Sequence, residues 1–184
     1  MTGDVTPVPL DLVLRTPDGE ATTVRALLGH RLLVVQLVRY FGCLPCQEWL
    51  TALDRAAPRL AERDVAVTAI GGSADYQARW LHEVRGVTMP LYLDPDQRFR
   101  DAVGASKRLG VRLLDPRGAA AYTRSLRHGF RPQGITSDTV RSPGVVILDR
   151  FGNVCWRYVG TRIGDYPPLG VVEEAAVQLS LMTK

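Results

Sequence analysis

The sequence lacks the many cysteines of disulfide-rich secreted proteins and the long apolar runs of membrane-spanning proteins. Its 184 residues include only three cysteines, too few for a disulfide framework. The longest apolar run is four or five residues, far short of the roughly twenty that cross a membrane. The N-terminus has an aspartate and prolines where a secretory signal needs basic residues and an apolar core. We therefore expect a cytoplasmic protein with no membrane partner.

Lysine is almost absent, since Lys107 and Lys184 are the only two and the other 21 basic residues are arginines. This bias is typical of a GC-rich bacterial genome. The formal net charge is +4, and nine basic residues between Arg98 and Arg131 stand against two aspartates. Such a stretch either binds an anionic substrate or forms a solvated surface, and we favour the solvated surface. No nucleic-acid partner is expected.

Hydrophobic residues make up 46% of the chain and charged residues 23%, which is ordinary for a globular protein. The apolar pattern predicts strands at 10–14, 31–39, 65–70 and 90–93, helices from 45 and at 74–84, 97–103 and 119–127, a hairpin over 144–159 and a helix at 171–182. Pro58 should kink or end the helix that begins at Pro45. The order of these elements predicts one α/β domain over residues 1–184 with a mixed central sheet.

Two of the cysteines stand as Cys43-Leu-Pro-Cys46, between a buried strand and a helix. This spacing places both sulfurs on one turn, near enough for a disulfide. The start of a helix offers unpaired N–H groups and partial positive charge, which stabilise a thiolate. A pair in this place usually has a pKa of about 7 or below. The pattern predicts redox chemistry in which one sulfur attacks and the other resolves.

Other uses of the pair fit less well. A zinc site needs a second pair of ligands, but Cys155 has no neighbour and His30, His82 and His128 stand alone as surface residues. A c-type haem needs histidine after the second cysteine, where Gln47 stands. Buried structural thiols remain an alternative, although a turn from strand to helix is an exposed place. We expect no metal and no other cofactor.

The segment Val38-Arg-Tyr-Phe-Gly-Cys43-Leu-Pro-Cys46 resembles the active site of peroxiredoxin-like proteins of the AhpC/TSA type, and specifically of the peroxiredoxin-like 2 group, within the thioredoxin superfamily. Further segments are similar to the Asp-Pro turn with its helix, the C-terminal hairpin and the Gly-Asp-x-Pro loop of that family: Leu93-Asp94-Pro95 with Phe99 and Gly104, Val146–Asp149, and Arg162–Pro168. The resemblance runs from about residue 8 to the end.

The resemblance implies a thioredoxin-like three-layer sandwich with a mixed central sheet and peroxiredoxin-like extensions. It also implies an enzyme that reduces a hydroperoxide, a lipid endoperoxide or a disulfide. A thioredoxin-type protein or a low-molecular-weight thiol would then reduce the resulting Cys43–Cys46 disulfide. The resemblance is compatible with a homodimer.

The motif departs from that of ordinary peroxiredoxins, Pro-x-x-x-Thr-x-x-Cys. Aligned on the last cysteine, Arg39 occupies the proline position and Cys43 the threonine position. This alignment makes Cys46 the equivalent of the peroxidatic cysteine, which attacks the peroxide. Comparison with thioredoxin instead makes Cys43, the first cysteine of the pair, the attacking thiol. We favour Cys43 because it precedes the helix, where exposure is expected to be greatest. The missing threonine argues against high peroxidase efficiency.

Four further residues are predicted to bind substrate, and each has a simpler interpretation. Arg39 either reaches a sulfur or is a solvated strand end, and Tyr40 is either pocket wall or core. Ser142 and Pro143 lie where the thioredoxin fold places a cis-proline against the active site, although a trans loop proline fits nearly as well. Cys155 is interpreted as a spare thiol.

Two rival functions share these motifs. One is a redox-responsive binding protein whose cysteine pair changes a partner surface without turnover. The other is a redox tailoring enzyme of a bacterial biosynthetic pathway. Turnover of peroxide or disulfide separates the first from an enzyme, and gene neighbourhood tests the second.

Overall fold

The structure of the chain is a computed structural model. It describes residues 7–29, 31–72, 74–136 and 140–182. The expectations for the first six residues and for His30 lie outside these ranges. No helix within them is long and apolar enough to cross a membrane.

The described part of the chain contains seven strands and six α-helices in alternation. The strands are β1 Val13–Arg15, β2 Ala21–Thr23, β3 Leu32–Leu37, β4 Val65–Gly71, β5 Leu91–Leu93, β6 Gly144–Leu148 and β7 Val154–Val159. The helices are α1 Val24–Leu28, α2 Leu44–Ala61, α3 Asp75–Glu83, α4 Arg98–Ala102, α5 Pro116–Arg127 and α6 Leu169–Met182, with a 3-10 helix at Gly110–Leu114.

All seven strands form one mixed sheet in the order β2-β1-β5-β4-β3-β6-β7. The central strands β3, β4 and β5 run parallel, while β6 is antiparallel to β3 and forms a hairpin with β7. Strand β3 is buried along its whole length because helices cover both faces of the sheet. Apolar side chains of α2, α3 and α6 pack on one face, and those of α1 and α4 pack on the other. The predicted thioredoxin-like three-layer α/β sandwich is confirmed.

Helix α2 lies against the sheet through Leu50, Leu53 and Leu60, which recur at helical spacing and are buried. Cys43 caps its start and Pro45 lies in its first turn, where a missing N–H costs nothing. The helix continues past Pro58 to Ala61, so of the two predicted effects of Pro58, a kink or an end, the end is wrong. The last turn still closes, because the Glu62 N–H donates to the carbonyl of Pro58 at 3.2 Å.

The turn after β5 ties helix α4 to the ends of two central strands. The buried carboxylate of Asp94 accepts hydrogen bonds from the N–H groups of Arg98 and Phe99, at 3.0 and 2.9 Å. From the same helix, the Arg100 guanidinium donates to the carbonyl of Val38 at 2.7 Å and to the carbonyl of Ser142 at 2.6 Å. Arg100 is only 3% exposed. The interpretation of the basic stretch as solvated surface is therefore wrong for this residue.

Replacing Asp94 should destabilise the fold. Asp94→Asn retains the shape of the side chain but replaces one acceptor oxygen with a donor that faces backbone N–H groups. We expect the free energy of unfolding to fall by about 1–3 kcal/mol, measured by urea denaturation. Asp96→Asn, at an exposed position in the same turn, is the matched control. Equal stability of the two variants would contradict the role of Asp94.

Candidate active site

Two buried glutamines position the loop that carries the cysteines. Gln36 on β3 donates from Nε2 to the carbonyl of Cys46 at 3.1 Å. Gln47 donates from Nε2 to the carbonyl of Phe41 at 3.0 Å. Between them the Cys43 N–H donates to the carbonyl of Tyr40 at 3.1 Å and closes the turn before α2. The loop is thus held from within the protein, so both sulfurs lie at the first turn of the helix.

Both cysteines carry free thiols and both are buried, with 0% of Cys43 and 1% of Cys46 exposed. The expectation of an exposed attacking thiol at this turn is therefore wrong. The local prediction of strand, turn and helix is correct. The thiols are buried because two segments far along the chain, one between β5 and β6 and one after β7, fold over the turn.

Helix α5 forms the first part of this cover and is attached to α2 by Glu48. One carboxylate oxygen of Glu48 accepts a hydrogen bond from Ser125 Oγ at 2.6 Å, and the other lies 2.7 Å from His128 Nδ1. Arg124 pairs with the same carboxylate at 3.4 Å. Burial raises the pKa of Glu48, but these hydrogen bonds and the arginine charge outweigh it and lower the pKa. Glu48 is thus an anion that fixes α5 beside the cysteines.

The loop from Arg162 to Pro168 forms the second part of the cover. Gly164 has a φ of +70°, and a Cβ there would lie 2.9 Å from the Cβ atoms of Ala121 and Pro45. Only glycine fits both the backbone conformation and this close approach. The loop therefore closes the space between α5 and the first turn of α2.

Arg39 extends into the site from the end of β3. Its Nη1 is 3.7 Å from Cys43 Sγ, and the side chain is 3% exposed. Of the two interpretations given above, the structure shows the one in which the guanidinium reaches a sulfur. A buried cation at this distance favours a negative charge on the cysteine pair.

The two thiols differ in their acidity. Burial raises the pKa of Cys43 well above its ordinary value, and its hydrogen bond to Cys46 adds to this. Burial also raises the pKa of Cys46, but the hydrogen bond from Cys43, the charge of Arg39 and the hydroxyl of Tyr166 outweigh it. Together they lower the pKa of Cys46 to about 7. A pKa of about 7 leaves a substantial part of the pair ionised at neutral pH, with the charge on Cys46 and a hydrogen bond to it from the Cys43 thiol.

Two tyrosines near the sulfurs were missed by the sequence reasoning. Tyr122 of α5 places its hydroxyl 3.0 Å from the hydroxyl of Tyr40. Tyr166 stacks on Trp49, with ring centroids 5.1 Å apart, and its hydroxyl oxygen lies 3.3 Å from the carbonyl oxygen of Leu37. No local signal distinguishes Tyr122, because it contacts the site only through the placement of α5. Tyr166 lies inside the Gly-Asp-x-Pro loop, which could have singled it out.

Ser142 and Pro143 lie at the start of β6 and both are buried. The peptide bond between them is trans, so the favoured cis alternative is wrong. The Ser142 carbonyl accepts from Arg100, and the Pro143 carbonyl accepts from the Gly160 N–H at 2.7 Å. These bonds tie the segment to α4 and to the residue after β7, which holds Pro143 without a cis bond.

Cys155 lies on the edge strand β7, where it is exposed, and its thiol contacts the carbonyl of Asn153 at 3.7 Å. Within the described ranges, no group of three or more His, Cys, Asp and Glu side chains is placed to hold a metal ion.

Comparison with known proteins identifies the family. The model of the AhpC/TSA family matches residues 6–157, more than half of the chain. The chain belongs to the AhpC/TSA family. A prostamide/prostaglandin F synthase of Salmo salar is 24% identical over 177 residues, which cover 94% of this chain and 87% of that protein. Peroxiredoxin-like 2C of Mus musculus is 29% identical over 98 residues, 53% of this chain and 43% of that protein.

Solved structures show the same fold at low identity. Peroxiredoxin Q of Xanthomonas campestris has a TM-score of 0.66 at 14% identity and covers 98% of both chains. A peroxiredoxin-like protein of Aquifex aeolicus has a TM-score of 0.63 at 15% identity, over 95% of this chain and 92% of that one. The expected thioredoxin-like fold is confirmed, since these structures share it over nearly the whole chain.

Replacing Arg39 should make the cysteine pair less acidic. In Arg39→Gln the cation beside the sulfurs is lost, so we expect thiolate formation to move to higher pH and the rate constant with peroxide at neutral pH to fall about tenfold. The ultraviolet absorbance of the thiolate, titrated with pH in a Cys155→Ser background, measures the shift. Arg59→Gln, at the exposed far end of α2, is the control. An unchanged titration would show that Arg39 does not stabilise the thiolate.

Proposed function

We propose that this AhpC/TSA protein uses the Cys43–Cys46 pair to reduce a hydroperoxide, an endoperoxide or a disulfide, and that an external thiol system then restores the dithiol. The observation that carries the proposal is the coupled pair itself. Two free thiols share the first turn of α2, Arg39 lies 3.7 Å from one sulfur, and the pKa of the other is lowered to about 7. A thiolate at neutral pH is the nucleophile that such a reduction needs.

We assign the attack to Cys46 and the resolving role to Cys43, which reverses the assignment favoured from the sequence. That assignment depended on the exposure of Cys43, and Cys43 is as buried as Cys46. Cys46 has the lowered pKa, whereas Cys43 retains its proton. The alignment of the motif with ordinary peroxiredoxins also places the peroxidatic cysteine at position 46.

The proposed reaction balances without a cofactor. With a hydroperoxide, the Cys46 thiolate forms a bond to the terminal peroxide oxygen while the O–O bond breaks, and the other oxygen leaves with the electron pair and is protonated to an alcohol or water. Cys46 is then a sulfenic acid. The Cys43 sulfur attacks it, the Cys43 proton leaves with the hydroxide as water, and a disulfide remains. A dithiol donates the two electrons that reduce this disulfide.

The substrate and the reductant follow from the relatives and from the chemistry. Several relatives are named prostamide/prostaglandin F synthase, which supports including an organic endoperoxide among the substrates. We propose a thioredoxin-type protein or a low-molecular-weight thiol as reductant. Such thiols are kept reduced in the cytoplasm, which is the location we propose for this protein.

Single cysteine variants distinguish the two roles. After stoichiometric peroxide, we expect Cys43→Ser to stop with Cys46 one oxygen atom heavier, and Cys46→Ser to remain unmodified at Cys43. Mass spectrometry of the digested proteins measures this, with Cys155→Ser as the background. Oxidation confined to Cys43 in the Cys46→Ser protein, with none at Cys46 in Cys43→Ser, would assign the attack to Cys43.

Turnover tests the enzyme as a whole. With thioredoxin, its reductase and NADPH, we expect consumption of cumene hydroperoxide or hydrogen peroxide above background, and none in the Cys43→Ser/Cys46→Ser double variant. Activity should rise as pH increases through about 7, because the Cys46 thiolate is the reactive form. Reversible disulfide formation without turnover of any peroxide, endoperoxide or disulfide would favour the redox-responsive binding protein instead.

A further inference from the structure

A pair of tyrosine hydroxyls beside the cysteines has no role in the reaction described so far. Tyr40 Oη and Tyr122 Oη lie 3.0 Å apart. Tyr40 belongs to the turn before α2 and is 5% exposed, whereas Tyr122 belongs to α5 and is partly exposed. The two residues are 82 positions apart, so the pair exists only because α5 lies over the site.

Several contacts place this pair near the sulfurs. The carbonyl of Tyr40 accepts the Cys43 N–H at 3.1 Å, which fixes Tyr40 to the cysteine turn. The Arg39 guanidinium lies 5.8 Å from the centre of the Tyr40 ring and reaches Cys43 Sγ at 3.7 Å. Burial raises the pKa of Tyr122, and the negative charge of the cysteine pair raises it further. The hydroxyls, the guanidinium and the Cys43 sulfur therefore border one small region.

The pair can donate one more hydrogen bond than it makes. Two hydroxyls carry two protons, and the bond between them uses one. Among the described residues, neither hydroxyl makes another hydrogen bond. Burial raises the pKa of Tyr40 as well as that of Tyr122, so both remain protonated at neutral pH. The second proton is available to a molecule that enters the site.

We propose that the Tyr40–Tyr122 pair donates a hydrogen bond to the peroxide oxygen that leaves when Cys46 attacks. The proposal rests on the proposed function and names the substrate-binding groups of the same site. Position 43, which ordinary peroxiredoxins give to threonine, holds a cysteine here and offers no hydroxyl. The tyrosine pair offers a hydroxyl for this role, and Tyr122 brings it from a different part of the chain.

The hydroxyl stabilises the leaving oxygen as the O–O bond breaks. As the S–O bond forms, negative charge develops on the departing oxygen, and a hydrogen-bond donor already in place stabilises this charge without reorganisation. An alkoxide or hydroxide is at least as basic as a tyrosinate, so the departing oxygen takes its proton along this hydrogen bond. The tyrosine pair then regains a proton from solvent through Tyr122, which is partly exposed.

Tyr122→Phe tests the proposal, since it removes the hydroxyl and retains the ring that packs in the cover. We expect kcat/KM for cumene hydroperoxide to fall about tenfold to a hundredfold. The pH titration of the thiolate should move little, and the urea midpoint should remain near that of the wild type. Tyr40→Phe should show a loss in the same direction. Tyr92→Phe, a partly buried tyrosine that packs on the other face of the sheet, is the matched control and should retain full activity.

Three results would overturn the proposal. An unchanged kcat/KM in both Tyr122→Phe and Tyr40→Phe would show that the hydroxyls do not contact the reacting oxygen, while wild-type turnover would leave the peroxidase function intact. A thiolate titration that shifts enough to account for the lost activity would mean that the hydroxyls act through the sulfur instead. A wild-type protein that consumes no peroxide would overturn both this proposal and the proposed function.

Discussion

A negative charge on a sulfur that water does not reach depends on the guanidinium of Arg39. Both thiols of the pair are buried, and an isolated thiolate in such surroundings is costly. Arg39 is itself buried and lies against Cys43, so the cation and the shared thiolate each offset the cost of burying the other. The lowered pKa of Cys46 follows from the hydrogen bond that Cys43 donates to it together with the charge of Arg39.

The position of that guanidinium is in turn set by the ends of the central strands. Arg39 follows β3 by two residues, and the carbonyl of Val38 just before it is held by Arg100. Gln36 and Gln47 fix the carbonyls of Cys46 and Phe41 from the buried side of the loop. None of these residues reacts. They keep the sulfurs and the cation in one arrangement, which is what a pKa shift at a specific thiol requires.

The cover over the cysteine pair separates the site from solvent. Glu48 attaches α5 to the helix that carries the cysteines, and Gly164 allows the following loop to approach both helices. The cover also brings in Tyr122, whose hydroxyl meets that of Tyr40. Groups from the cysteine turn and from α5 therefore meet at one place. The segment between β5 and β6, which had the least periodic sequence, thus supplies part of the candidate site.

Local patterns in the sequence were enough to predict the alternation of strands and helices, the hairpin of β6 and β7, and a cysteine pair at the start of a helix. These depend on neighbours within a few positions, through apolar periodicity and the unpaired N–H groups of a helix start. Three features depend instead on residues tens of positions apart: the burial of Cys43, the burial of the Arg100 guanidinium, and the hydrogen bond between the hydroxyls of Tyr40 and Tyr122. Only the packing of α4 against the sheet, and of α5 and the loop after β7 over the start of α2, decided them, because solvent exclusion and charge compensation are properties of the assembled interior.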